Sequence, residues 1–126
     1  MATPEEVLVG LLSTDATVAA AVGDRVWPVA IRLNPVFPAI TYGRESGERE
    51  YALDANVTAA HTVLTVRCWA TDYPAARELA TAVTAALDRV TTTDVQVMSV
   101  RDGADVYLDT LNVFGCTLMV EMEQWL

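Results

Sequence analysis

The sequence predicts an α+β fold: a mainly antiparallel sheet of four to five strands with two main helices packed on one face, in the order α-β-β-β-α-β-β. Three observations carry that reading. "TPEEVLVGLL" opens with a helix start signal, "HTVLTVRCWA" alternates β-branched and aromatic residues, and "AARELATAVTAALDRV" repeats its apolar positions at helical spacing. Strand patterns on both sides of that second helix place helices on a sheet rather than between parallel strands.

The first helix follows from Thr3 as cap, Pro4 at the first helical position and Glu6 three residues after the cap, with Val7, Leu8, Leu11 and Leu12 on one face. "DATVAAAVG" reads as a second short helical piece, capped by Thr14 or Asp15 and ended by Gly23. Pro28, Pro35 and Pro38 then forbid a long helix or a long central strand, so short strands are expected near Arg25 to Ile31 and from Ala39 to about Glu45, joined by "LNPVFP". Between Gly43 and Asp54 the charge and glycine density predicts a solvated, mobile connection, a contact arm that becomes ordered against a neighbour.

The strand "HTVLTVRCWA" has Leu64, Val66 and Cys68 on one face and Val63, Thr65, Arg67 and Trp69 on the other, the pattern of a central strand. Thr71 or Asp72 caps the next helix, with Pro74 in its first turn and Leu79, Val83, Leu87 and Val90 along its apolar stripe. "VQVMSV", a turn at Asp102-Gly103 and the run "LNVFGCTLMVEMEQWL" make a closing antiparallel pair. All 126 residues fit a single domain, and a chain of this length holds a core without staples.

Hydrophobic residues make up 52% and charged residues 20%, which excludes a disordered chain. No run reaches the about 18 apolar residues of a membrane helix, and acids stand at the N-terminus where a signal peptide has bases, so an unexported protein without membrane contact is expected. Cys68 and Cys116 lie in apolar runs and are expected as buried, reduced thiols, and the sequon at Asn56 carries no weight without a secretory signal. With a net charge of -9 and eight arginines as the entire basic complement, the chain repels phosphate rather than gripping it.

Chemistry finds little purchase. His61 is the single histidine, the Cx2C, GxSxG, P-loop and dinucleotide-binding patterns are absent, and Gly43 and Gly47 lack the strand-to-helix context of a phosphate loop. Glu45, Glu48, Glu50 and Asp54 are close in sequence, but acid-base work needs carboxylates in unequal, partly dry environments. Trp27, Trp69 and Trp125 sit in strand patterns where packing or a subunit interface accounts for them. No enzyme, cofactor or metal site is expected.

The succession "LLSTDATVAAAVGDRVWP", "PAITYGRESGEREYALD" and "HTVLTVRCWATDYPAARELATAVTAALD" resembles the tail-completion or tail-terminator proteins of long-tailed bacteriophages, prophages and gene transfer agents. The likeness lies in the short "D-A-x-V" helix and glycine, the "SGER" stretch after the proline-led strand, and the strand that ends in tryptophan directly before a helix. "RDGADVYLDTLNVFGCTLMVEMEQWL" matches more loosely. The resemblance implies a structural virion assembly protein, made in the host cytoplasm. Members of that family form a ring, commonly a hexamer, and the same is then expected here: a ring that caps the tail tube and joins it to the head connector while DNA passes through the lumen without specific binding. Its partners are then itself, the tail tube protein and the head-tail connector protein. In such a ring Arg44, Glu45, Glu48, Arg49 and Tyr51 are the expected contacts, since arginine binds carboxylates bidentately. Two other classes compete: a small dimeric binding or regulatory module, and an enzyme whose pocket joins His61 to the nearby acids.

Overall fold

The computed structural model describes residues 3–51, 57–92 and 95–125, with the side chains of 48–51, 57, 58, 98 and 125 left undescribed. The element order is α1 (Pro4–Thr14), α2 (Ala16–Val22), β1 (Val26–Pro28), β2 (Ala39–Tyr51), β3 (Val57–Ala70), α3 (Tyr73–Leu87), β4 (Val95–Asp102), β5 (Val106–Leu108) and β6 (Val113–Trp125). The expected α+β class holds, with two corrections. Among the described residues the sheet has six strands, ordered β1-β2-β3-β6-β4 with β5 also on β6, and β1 and β2 run parallel; the second short helical piece expected after the first helix is present as α2. The β5 strand is only three residues long, too short for alternation to reveal, and the three prolines leave β1 no longer than Val26–Pro28.

Each helix starts on the cap its sequence supplies. Thr3, Asp15 and Asp72 accept from the backbone N–H groups of Glu6, Val18 and Ala75 at 3.2, 3.0 and 2.8 Å. Gly23 closes α2 with φ +57°, a conformation that costs glycine nothing.

All three helices cover one face of the sheet. Leu8, Leu12, Val18, Val22, Leu79, Val83 and Leu87 pack on Ile40, Leu64, Val66, Leu118, Val120 and Met122, all essentially without solvent exposure. The even-numbered residues of β3 and β6 face this core because strand side chains alternate. β3 lies between β2 and β6, as its two apolar faces predicted. On the open face the indole N–H of Trp69 donates to the Thr41 hydroxyl at 2.9 Å, and the Trp69 ring lies where a Cβ on Gly115 would come within 2.8 Å. That close approach explains a glycine in the middle of an apolar strand.

The charged stretch differs from the expected connection. The β2 strand runs through Tyr51 rather than ending near Glu45, and β3 starts at Val57, so residues 46–51, expected as a mobile connection, are a ladder-paired strand within the subunit. The remainder of the stretch, Ala52–Asp54, lies outside the described residues. Strong strand formers in β3 supply the pairing partner, and β6 extends the ladder to Trp125, so tertiary context overrides a weak local propensity.

Candidate functional site

Since β1 covers only Ile40 to Tyr42 of β2, residues 44–51 have β3 on one side and, among the described residues, no strand on the other. A bulge interrupts this edge: Arg44 pairs with Leu64 and Ser46 with Val63, leaving Glu45 unpaired. Bulges and charges are the usual means of keeping an exposed edge from indiscriminate pairing.

The bulge sends Arg44 and Glu45 to different places. Arg44 shares the helix-covered face with Leu64, and its Nε and Nη2 reach Glu5 Oε1 of α1 at 2.8 and 2.6 Å, with half of the side chain still exposed. On the open face Glu45 Oε2 accepts the Thr65 hydroxyl at 3.1 Å. Beside them lies an open cleft of about 210 Å³, lined in part by Val29, Tyr42, Arg44, Glu45 and Arg67. By backbone register Glu48 stands opposite His61, Arg49 opposite Ala60 and Tyr51 opposite Val57, while the side chains of Glu48, Arg49 and Tyr51 lie outside the description.

The adjoining loop 29–38 is where large apolar side chains face solvent: Leu33 is 94% exposed, Val29 79% and Val36 60%. It is pinned at both ends. Val29 N–H donates to the Tyr42 carbonyl at 2.7 Å, and Arg25 donates from Nε to the Pro38 carbonyl and from Nη2 to the Ala21 carbonyl. Val29 itself sits at φ +65°, a strained setting for a β-branched residue. Sequence reasoning considers the tryptophans as interface residues and does not single out this loop.

The far edge carries a second cluster. Tyr107 and Tyr73 pack against Phe114 with centroids 4.9 and 6.1 Å away, and Leu111 is exposed next to them. The Tyr73 hydroxyl donates to Asp105 at 2.6 Å, the Tyr107 hydroxyl bonds Asn112, and Arg77 lies 3.3 Å from Asp105 and 3.7 Å from Asp102. The Tyr73 hydrogen bond and the Arg77 charge hold the Asp105 carboxyl below its ordinary range.

The described residues contain no cluster of three or more metal-ligating side chains. A cleft of about 350 Å³ between α3 and β4 is lined by Arg77, Thr81, Thr84, Asp88, Val100 and Asp102, and neither it nor the cleft at the β2 edge includes His61. The pocket joining His61 to the acids, which an enzyme would need, is not among these clefts. Cys68 and Cys116 are unbridged and buried, directly opposite each other across β3 and β6. Burial pushes the Cys68 thiol up to about 12, away from nucleophile chemistry at neutral pH. No helix among the described residues is long and apolar enough to cross a membrane.

Comparison with known proteins agrees with the chain's resemblance. No curated protein sequence matches it. A chain from the solved structure "Virion of native gene transfer agent (GTA) particle" superposes with a TM-score of 0.67 at 17% identity, over 94% of this chain and 91% of that one, which speaks for a shared fold. The model of the family described as "Tail completion protein gp17" matches residues 6–115, from α1 into β6, including both edges described above. The chain therefore belongs to the tail completion protein gp17 family, and it is a structural protein of the virion tail.

Proposed function

We infer that the protein closes the end of the tail tube as a ring of six identical subunits and joins the tube to the head connector, without catalysis or cofactor. The observation that carries this reading is the outer edge of β2 at residues 44–51, unpaired among the described residues, bulged and densely charged, in a chain of the tail completion family. A lone subunit gains nothing from a long open edge, whereas closed association covers it. Arg44, Glu45, Glu48, Arg49 and Tyr51 form the contact there. Arg44 is already ordered by Glu5 while half exposed, which lowers the entropy cost of meeting a second carboxylate.

The charge fits the same role. A lumen walled by subunits of net charge -9 lets DNA pass without holding its phosphates. The whole chain, 1–126, acts as a single domain, made in the host cytoplasm and assembled from there into the tail.

Tail tubes grown without this protein, mixed with it and viewed by electron microscopy, provide the test. The reading expects density at one end of each tube and, with connectors added, heads joined at that end. An Arg44→Ala, Arg49→Ala double variant should fold normally and cap fewer tubes. Wild-type protein that ignores tube ends, or heads that join bare tubes equally well, would sink it.

A further inference from the structure

We propose that copies of this chain associate head to tail, the apolar loop 29–38 of one copy seated on the aromatic turn of residues 102–113 of the next. The proposal rests on the ring reading and names the surfaces that close the ring.

The two surfaces lie at opposite edges of one sheet. Loop 29–38 hangs from β1, the first strand in the order, and β5 pairs with β6 on the side away from β3. They are also level along the strands. Tyr42, which receives the Val29 amide, is linked through Val66 to Leu118, and the β5 ladder begins three residues further at Gly115. A rotation about an axis alongside the sheet therefore brings one edge of a copy to the other edge of its neighbour. Contact between unlike patches is heterologous, the kind that generates rings instead of isolated dimers.

Their chemistry is complementary. From residue 25 to 44 the chain holds Arg25, Arg32 and Arg44 and no acid, although it carries 17 acids in all. From 102 to 109 it holds Asp102, Asp105 and Asp109 and no base. Within the subunit these charges are only partly answered. Arg44 is paired with Glu5, Arg25 is held by two carbonyls and Arg77 serves Asp102 and Asp105, so that among the described residues Arg32 and Asp109 are the charges of the two surfaces without an ion pair or such a hydrogen bond. Each side pairs an apolar centre with charge at its rim: Leu33 and Val36 beside Arg32, Tyr107 and Leu111 beside Asp109. Interfaces are commonly built this way, with the apolar centre supplying affinity and the rim fixing register. Arg25 and the Val29 hydrogen bond hold the loop in its presenting conformation before contact, so little ordering remains to be done on binding.

The experiment places cysteines at the two centres and cross-links the wild-type-length chain with a short bis-maleimide, alone and on tail tubes. A Leu33→Cys, Leu111→Cys double variant should give a ladder that ends at the ring size. A mixture of the two single variants should stop at dimers. The native thiols, buried and opposite each other in the core, stay silent. Leu33→Asp should weaken assembly by about tenfold or more, as loss of an interface centre does. Arg32→Asp and Asp109→Arg should each weaken it by about three- to tenfold, and the two together should restore most of the loss. Rings of normal mass with no cross-link between 33 and 111, or with assembly unchanged by Leu33→Asp and by Arg32→Asp, overturn the proposal and leave the ring reading standing. Normal rings of the Leu33→Asp variant that no longer hold tubes assign the loop to the tube protein and also overturn it. Wild-type protein that never assembles, with tubes or without, overturns both.

Discussion

At the β1 edge the loop 29–38 is held at its ends by hydrogen bonds and puts no residue into the buried core, and at the β5 edge the turn 102–113 is held by strand pairing, by the Tyr73–Asp105 and Tyr107–Asn112 hydrogen bonds and by packing among Trp69, Gly115, Val106 and the Tyr73, Phe114 and Tyr107 rings. The first presents aliphatic side chains among arginines; the second presents aromatic rings among aspartates. The difference teaches two ways in which a small domain can hold apolar side chains at its surface. One loop is tied at its two ends, and the other region is partly covered by its own rings and answered by Arg77.

The comparison can be broken most forcefully at Gly115. A Cβ there meets the Trp69 ring at 2.8 Å and Val106 at 2.9 Å, so Gly115→Ala should cost up to about 3 kcal/mol by overpacking, read from the urea midpoint. A variant as stable as wild type would mean that Trp69 does not lie over Gly115. Arg25→Ala removes the bond to the Pro38 carbonyl that anchors the far end of the loop, together with the bond to the Ala21 carbonyl of α2, and should cost about 1 kcal/mol, with hydrogen exchange at Val29 rising while that of β5 stays unchanged. Equal exchange at both edges would erase the distinction between pinned and packed.

Glu5→Ala tests the charged β2 edge that lies beside the loop. Its ion pair with Arg44 is largely at the surface, so the stability change should stay within about 1 kcal/mol, while capping of tubes falls if Arg44 needs Glu5 to hold it ready. The smallest effect expected is with pH. Asp105 has its carboxyl depressed by Tyr73 and Arg77, so its contribution is present above the ordinary value of 3.8 and fades as the pH falls below it. Chemical shifts of Tyr73 and Phe114 should therefore move in acid, below that value, with those of Leu33 and Val36 steady. Loop shifts that follow the same titration would tie the two edges together in one subunit.

Much of this fold was readable from residue order. Thr3, Asp15 and Asp72 announce their helices, and the alternation around Leu64, Val66 and Cys68 places β3 in the middle of the sheet. The stretch from Gly43 to Tyr51 misled because charge density normally marks solvated loops, yet charge is also what a natural sheet edge uses to stay unpaired. The Arg44–Glu5 pair joins residues 39 apart, so local pattern could not reveal it. The apolar loop was hidden for a different reason. Its prolines were read as strand breakers, and nothing in the order of Val29, Leu33 and Val36 says that a strained turn and two pinned ends would leave them facing solvent.

Native mass determination, on the protein alone and after addition of tail tubes, tests the central claim most directly, because association of unlike edges either closes at a fixed number of copies or runs on into a filament of no fixed mass. The account predicts a discrete cyclic species of six copies, present from the start or formed once tubes are added. A stable dimer, or a monomer that stays a monomer beside tube ends, would contradict it.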